Sequence, residues 1–225
     1  MKTLRKFTMS VLAVACAVAC ATPAQAGTIY SNIQPGDTFV VGVAIGIVPF
    51  VDVFNYAGVG FNAGQTYTFD SMELAVSLSS GPNVLDVYLM SSLGGLPNQV
   101  LESFALDNDL STDPSTGLVT IDSVTHPELM AGQEYWVVAA GGPTTFASWQ
   151  ENVHNVMGPN VSGPTLTSLV RDSNANVVEA LEVNGTAVPE PSSWMLMAGA
   201  LLLCMAYSYR SVTIGSTRAA RRAGK

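Results

Sequence analysis

The sequence predicts an all-β protein whose central part is a single antiparallel β-sandwich of the jelly-roll kind. Between Gly27 and Ala187 no long segment has apolar residues recurring at helical spacing. Short runs rich in Val, Thr, Tyr, Phe and Leu alternate there with clusters of Gly, Pro, Asn and Asp, which is the pattern of strands separated by turns. The chain of 225 residues has room for one such domain once its apolar ends are set aside.

Nine candidate strands follow from these runs, enough for two packed antiparallel sheets. Turn-forming sequences such as Gly81-Pro82 and Gly94-Gly95 separate several of them. Gly58 and Gly60, with Gly64, have the wrong spacing for a phosphate-binding loop and are predicted to form a glycine-rich bend. The predicted strands are Thr38–Val43, Tyr67–Leu78, Val84–Met90, Val100–Leu106, Leu118–Val124, Glu134–Ala140, Thr145–Gln150, Thr167–Arg171 and Val177–Val183.

Residues 1–26 predict a secretory signal peptide, a signal helix at the N-terminal side of the central domain. A basic start is followed by an apolar stretch and by a small-x-small cleavage site formed by Ala24 and Ala26, so the mature chain would begin at Gly27. An uncleaved membrane anchor is the alternative, but the apolar run is shorter than the ~20 residues that a span needs.

All three cysteines lie in the apolar terminal segments. Cys16, Cys20 and Cys204 leave the central domain without a disulfide or a cysteine metal site. A lipoprotein signal acylated at Cys16 or Cys20 is less favoured, because an Ala stands three residues before each of them, where a larger aliphatic residue is usual.

The C-terminal end, residues 188–225, has three successive parts. Val188, Pro189, Glu190 and Pro191 come first, a predicted transmembrane helix at about 192–214 follows, and a basic tail at 215–225 ends the chain. The sixteen most apolar residues would reach about 24 Å as a helix, slightly short of a hydrocarbon core unless flanking residues contribute. The positive-inside rule keeps the tail in the cytoplasm and places the preceding domain outside.

This three-part end resembles the PEP-CTERM sorting signal of Gram-negative bacteria, which the membrane enzyme exosortase recognises. The resemblance implies that Pro189-Glu190-Pro191 is the recognition motif and that the helix anchors the protein transiently in the inner membrane. It further implies that the processed protein reaches the cell surface or the extracellular matrix, commonly beside exopolysaccharide. The alternative is an ordinary tail anchor with a chance Pro-Glu-Pro.

The central region resembles the choice-of-anchor domains, which are extracellular β-sandwiches found upstream of PEP-CTERM and other anchoring tails. The family implies surface display without a common established activity. The resemblance is carried by the stretches Phe69–Ala75, Leu85–Leu89, Gly95–Phe104, Leu129–Val138 and Ala147–Trp149.

Positive charge is almost absent from the central domain. Between Gly27 and Pro189, Arg171 stands against sixteen Asp and Glu residues, which leaves a formal charge of −15. Such a surface repels nucleic acid and disfavours phosphate ligands, whereas cations and neutral glycans are acceptable partners.

No catalytic motif or cofactor-binding motif is found, and we predict that the protein is not an enzyme. His126 and His154 stand at no familiar spacing to a nucleophile. Asp107, Asp109 and Asp113 are weak calcium candidates, because the glycine and the distant glutamate of an EF-hand loop are missing. A hydrolase with an unfamiliar site is an alternative that acids about 5–9 Å apart in a cleft would indicate.

Trp136 and Trp149 are candidate carbohydrate-binding residues. Neighbouring side chains of a strand face opposite sides, so either Tyr135 or Trp136 is expected to face outward or an interface. A core position is favoured for Trp136, whereas Trp149, between polar Ser148 and Gln150, is the better candidate for exposure.

Together these features predict an exported, non-catalytic surface or extracellular-matrix protein, structural or adhesive in an exopolysaccharide or biofilm setting. Its expected partners are exosortase, the inner membrane and exopolysaccharide, and no nucleic acid. A carbohydrate-binding module displayed at the cell surface is the alternative.

Overall fold

Antiparallel strands make up the regular structure between residues 25 and 188. The computed structural model describes residues 25–48, 53–115, 117–172 and 177–188, with residue 199. Among the described residues from 25 to 188 there are thirteen strands and no helix. The strands are β1 (Ala26–Ser31), β2 (Phe39–Val48), β3 (Val53–Asn62), β4 (Tyr67–Ser80), β5 (Val84–Leu93), β6 (Leu96–Asp107), β7 (Leu118–Asp122), β8 (Glu128–Leu129), β9 (Glu134–Gly141), β10 (Phe146–Asn152), β11 (Asn160–Gly163), β12 (Val170–Arg171) and β13 (Leu181–Ala187).

No helix that could cross a membrane is found among the described residues. The predicted signal helix and the predicted transmembrane helix at about 192–214 lie almost entirely outside these residues.

The strands form one curled sheet, a half-barrel, in the order β1-β13-β4-β10-β2-β3-β9-β5-β6. Strands β7 and β8 also pair with β4, and β11 joins β12 to β3. The antiparallel all-β prediction is confirmed, and the sheet is sandwich-like, but it is one curled sheet rather than two separate ones. Hydrogen bonds run without a break because β4 pairs with β13 over Tyr67–Leu74 and with β10 over Val76–Ser80.

The main core lies between the strands of this curled sheet. Phe61, Phe69, Leu74, Val137 and Trp149 are among its fully buried side chains. A second, smaller cluster packs on the opposite face of β9 and contains Met90, Trp136, Val138, Val161 and Leu169. Because β9 has core on both faces, it is a nearly continuous apolar run rather than an alternating one.

All nine predicted strands overlap strands of the structure, although β12 and β13 are displaced by several residues from their predictions. Four strands, β1, β3, β8 and β11, were not predicted. The bend predicted at Gly58 and Gly60 is wrong, since both residues lie inside β3. A Cβ atom on Gly60 would lie 2.9 Å from Pro159 Cγ and 3.1 Å from Trp136 Cη2, so the glycine permits close packing rather than a turn.

The first and last strands of the Gln25–Val188 unit lie side by side. The β1–β13 pair begins with Ala26 opposite Thr186, and the backbone N–H of Val188 donates to the carbonyl of Thr66 at 2.9 Å. The two ends of this unit therefore lie at the same end of one strand pair.

Gly46 in β2 provides a test of the strand packing. Its φ is +82°, and a Cβ atom there would overlap the carbonyl oxygen of Thr145. Gly46→Ala is expected to lower the free energy of unfolding by more than about 1 kcal/mol, because it combines backbone strain with a clash. Urea denaturation followed by circular dichroism measures the loss.

Gly64→Ala is the matched control, because an added Cβ atom there meets no atom within 4 Å and the residue's φ is not positive. It is expected to change the stability by less than about 0.5 kcal/mol. Equal losses in the two variants would contradict the described packing of β2 against the turn before β10.

Candidate functional site

The residues predicted to direct processing lie at the ends of the Gln25–Val188 unit. Ala26 and Gly27 are exposed and lie in the edge strand β1, so the predicted scissile bond belongs to that strand. Val188 is the last described residue before the motif. Ala24 and residues 189–191 lie outside the described residues.

Both candidate sugar-binding indoles are fully buried, at 0% exposure. Trp149 Nε1 donates to the carbonyl of Ala180 at 2.9 Å, and Trp136 Nε1 donates to Ser92 Oγ at 3.2 Å. The exposure predicted for Trp149 is wrong, because its polar neighbours are themselves buried: Gln150 Nε2 donates to Ser77 Oγ at 2.7 Å. Neither indole can therefore offer a face to a sugar ring.

The weak calcium candidates hydrogen-bond within their own turns. Asp109 Oδ2 accepts the backbone N–H of Asp107 at 3.2 Å, and Asp113 Oδ1 accepts both the N–H and the hydroxyl of Ser115. Over the described ranges, no group of three or more acidic, His or Cys side chains could hold a metal ion. These bonds are those of turn-stabilising acids.

A cavity of about 440 Å³ lies where β2, β10 and β11 meet the chain segments beside β12 and β13. Three acids line it, and none of its described lining residues is basic. None of these acids was singled out in the sequence. The lining residues are Gly42, Val43, Glu151, Asn160, Val161, Ser162, Asp172, Val177 and Glu179.

Two of the acids, Glu151 and Glu179, are directly opposite each other in an antiparallel bridge. Residues so paired place their side chains on the same face, within about 5.5 Å at their Cβ atoms. Glu179 is only 4% exposed, and its buried Oε2 has no hydrogen-bond partner. The buried Oδ1 of Asn160 also has none. Two residues that line the cavity therefore each have a buried oxygen acceptor without a hydrogen-bond partner.

The backbone around Glu179 is fixed by buried side chains. Asn32 Nδ2 donates to the carbonyl of Glu179 at 2.9 Å, while Asn32 Oδ1 accepts the N–H of Leu181 at 2.7 Å. On the other side, the carbonyl of Ala180 accepts the Trp149 indole N–H. These hydrogen bonds hold the backbone of Glu179 beside Glu151.

Burial disfavours ionisation of both carboxyls. It raises the pKa of Glu179 to about 7. A backbone hydrogen bond lowers this pKa, and the charge of Glu151 offsets part of that lowering. Burial likewise raises the pKa of Glu151. Burial, and to a smaller extent the charge of Glu179, raise the pKa of Tyr30. The described residues that line the cavity include no Lys, Arg or His.

A cavity with these groups can accept hydrogen bonds and attract cations, and it repels anions. The sequence does contain a signal for Glu179, since it is an acid inside the apolar run Val177-Val178-Glu179-Ala180-Leu181. No sequence signal pairs it with Glu151, because that pairing depends on two strands that are distant in the chain.

The raised pKa of Glu179 predicts a stability that falls with pH. Between pH 4.5 and about 7 the folded protein keeps a proton that the unfolded chain releases, so the stability that Glu179 contributes is fully present below pH 4.5 and is lost as the pH rises through about 7. The expected loss is about 3 kcal/mol for this group. The raised pKa of Glu151 adds to this loss of stability in the same direction. The third acid that lines the cavity is Asp172.

Glu179→Gln is expected to remove most of that slope, measured as the urea midpoint from about pH 5 to about pH 8. Glu128→Gln, which removes an exposed acid outside the cavity, is the matched control and should keep it. A slope that survives in Glu179→Gln would show that Glu179 titrates normally.

The comparison with protein families matches residues 187–211 to the PEP-CTERM protein-sorting motif. This confirms the sorting motif predicted at the C-terminal end. No family match covers the central region, so its resemblance to choice-of-anchor domains is not confirmed. A search among curated proteins found no match to the chain. The motif supports an exported protein whose C-terminal end is anchored transiently in the membrane and processed by exosortase.

Proposed function

We propose that this protein is a non-catalytic β-domain, exported by a Gram-negative bacterium, that exosortase processes at Pro189-Glu190-Pro191. After processing it has a structural or adhesive role at the cell surface or in an exopolysaccharide or biofilm matrix. The match of the sorting motif to residues 187–211 carries the proposal. That match begins at Ala187, the last residue of β13.

The bounds of the folded unit support removal of both ends of the chain before the domain acts outside the cell. The sheet begins at Ala26, beside the predicted signal-peptide cleavage site, and its last described hydrogen bond comes from Val188. Removal of both ends would leave the main core untouched. A mature chain beginning at Gly27 loses the Ala26–Thr186 pair and the bond from the Ala187 N–H to Gln25, but it keeps the remaining β1–β13 pairs.

Charge supports a location outside the cell among uncharged or cationic partners. The formal charge of −15 between residues 27 and 189 keeps such a domain soluble and away from anionic lipid. Binding to neutral exopolysaccharide is compatible with this surface.

The acidic pair in the cavity does not argue for a hydrolase. A general acid must come within hydrogen-bond distance of the leaving atom. Glu179, whose pKa is raised to about 7, has the proton affinity of such an acid, but it is 4% exposed and its Oε2 is buried. This burial favours a structural role for Glu179 over proton transfer.

Replacement of Pro189, Glu190 and Pro191 by alanines tests the sorting proposal. The wild-type product, isolated from its own host, is expected to begin at Gly27 and to lack the basic tail by intact-mass measurement. The triple variant is expected to keep the tail and to remain in the membrane fraction, because exosortase has lost its recognition motif.

Pro127→Ala with Glu128→Ala is the matched control, since it removes a Pro-Glu pair in β8 and the residue before it. This variant should be processed as the wild type is. A wild-type product that still carries residues 215–225 would instead identify an ordinary membrane-anchored domain.

A further inference from the structure

The face of the sheet that lies opposite the main core carries two tyrosines and an acid. Strands β3, β9, β5 and β6 lie side by side there, and their other face covers the main core. At one end of the outer face lies the smaller cluster, where Arg171 Cζ is 5.8 Å from the ring centre of Trp136. Farther along the same strands are Tyr56, Tyr88 and Asp86, which exosortase processing does not require.

The strand registers place these three side chains on one face. Tyr56 on β3 is opposite Ala140 on β9, and Ala140 is opposite Asp86 on β5. Tyr88 lies two residues after Asp86 and is opposite Val138 on β9. Residues directly opposite each other, and residues two apart along a strand, project from the same side of a sheet. Tyr56 and Tyr88 accordingly both pack against the smaller cluster, to which Val138 belongs.

The surface between the three side chains is shallow. Tyr56 and Asp86 are two strands apart, which is about 10 Å at the usual strand spacing. Such a distance leaves room for a short stretch of a chain of flat rings. The neighbouring positions on the same face have short side chains, namely Ala140, Ser103 and Ala105.

The polar atoms of this face are open to a ligand. Tyr56 and Tyr88 are half-buried and Asp86 is exposed. In the hydrogen bonds of the described residues, neither phenol hydroxyl nor the Asp86 carboxylate takes part. Neither hydroxyl oxygen is buried, in contrast to the unpartnered Oε2 of Glu179. Burial, and to a smaller extent the charges of Asp86 and Tyr56, raise the pKa of Tyr88, so its hydroxyl remains a donor well above neutral pH.

The charge of this face favours a neutral ligand over an anion. Asp86 contributes a negative charge, and Arg171, the only Lys or Arg between residues 27 and 189, is paired with Glu134 at 3.5 Å. An anionic chain would therefore be repelled. The core of an interface between two proteins is depleted in charged residues, which disfavours a second protein over Asp86.

The chemistry of the three side chains matches that of a sugar. A tyrosine offers an apolar ring for contact and a hydroxyl at its rim, and a carboxylate accepts hydrogen bonds. A neutral sugar ring has apolar C–H groups on its faces and hydroxyl donors around its rim. Each part of Tyr56, Tyr88 and Asp86 that is open to solvent thus has a complement on such a ring.

We propose that the face formed by Tyr56, Tyr88 and Asp86 binds a neutral polysaccharide chain. The rings of Tyr56 and Tyr88 contact the apolar faces of its sugars, and Asp86 accepts hydrogen bonds from its hydroxyls. This inference rests on the proposed function and deepens it, because it names the surface through which the processed domain is held in a polysaccharide matrix.

Affinity gel electrophoresis of the full chain in mild detergent measures this binding. The native gels contain hydroxyethylcellulose, galactomannan or dextran, which are neutral, or polygalacturonate, which is anionic. At least one neutral polymer is expected to retard the wild type, and polygalacturonate is not. Tyr88→Ala and Asp86→Ala are each expected to weaken the binding at least about tenfold. Tyr88→Phe, which keeps the ring, is expected to weaken it less.

Tyr67→Ala is the matched control, because Tyr67 is also a half-buried tyrosine of a strand but packs against the main core. It should be retarded as the wild type is. Melting curves establish that the variants are folded, and exposed Asp86 provides the test if Tyr88→Ala fails to fold.

Retardation by none of the three neutral polymers would overturn the proposal, and so would equal retardation by polygalacturonate. A dimer that Tyr88→Ala dissociates, with no retardation by any polymer, would identify an interface between two copies instead. The gels use the unprocessed chain, so a failure of binding is distinguishable from a failure of exosortase processing, which the intact mass of the product reports.

Discussion

Strand β4 is the constraint on which the rest of the structure depends. It is 14 residues long and pairs with β13, β10, β7 and β8. On one side its partner changes at Ala75, from β13 before that residue to β10 after it. Two separate sheets would require the hydrogen bonding between strands to be interrupted at this point. Because β4 continues straight through, both layers become one curled sheet around a shared core.

The same change of partner creates the acidic cavity. At Ala75 the N–H donates to the carbonyl of Ala180, which also accepts the indole N–H of Trp149. The chain just before Ala180 has left β4 and is directed to β10, where Glu179 meets Glu151. The burial of Glu179, with its unpartnered Oε2, is thus a consequence of how β4 joins its two neighbours, and the hydrogen bonds of buried Asn32 hold the backbone there.

The sequence revealed what local patterns encode and missed what distant packing decides. Strands such as β4, β5 and β9 were predicted because their apolar and β-branched runs end at turn residues. β3 was missed because its glycines suggest a bend, whereas Gly60 is needed for the close approach of Pro159 and Trp136. The polar neighbours of Trp149 suggested exposure, although Gln150 is satisfied inside the core. The sorting motif was predictable because its recognition depends on sequence order rather than on tertiary contacts.

The pairing of β1 with β13 connects the two ends of the domain. β1 is the first strand in chain order, but its partner in the sheet, β13, is the last strand before the sorting motif. This edge of the sheet can therefore close only when nearly the whole domain is available. The N–H of Val188 donates to the carbonyl of Thr66, so the hydrogen bonds of the sheet extend to the residue before Pro189. The matched sorting motif begins at Ala187, inside β13, so the sequence of the motif overlaps the last strand of the domain.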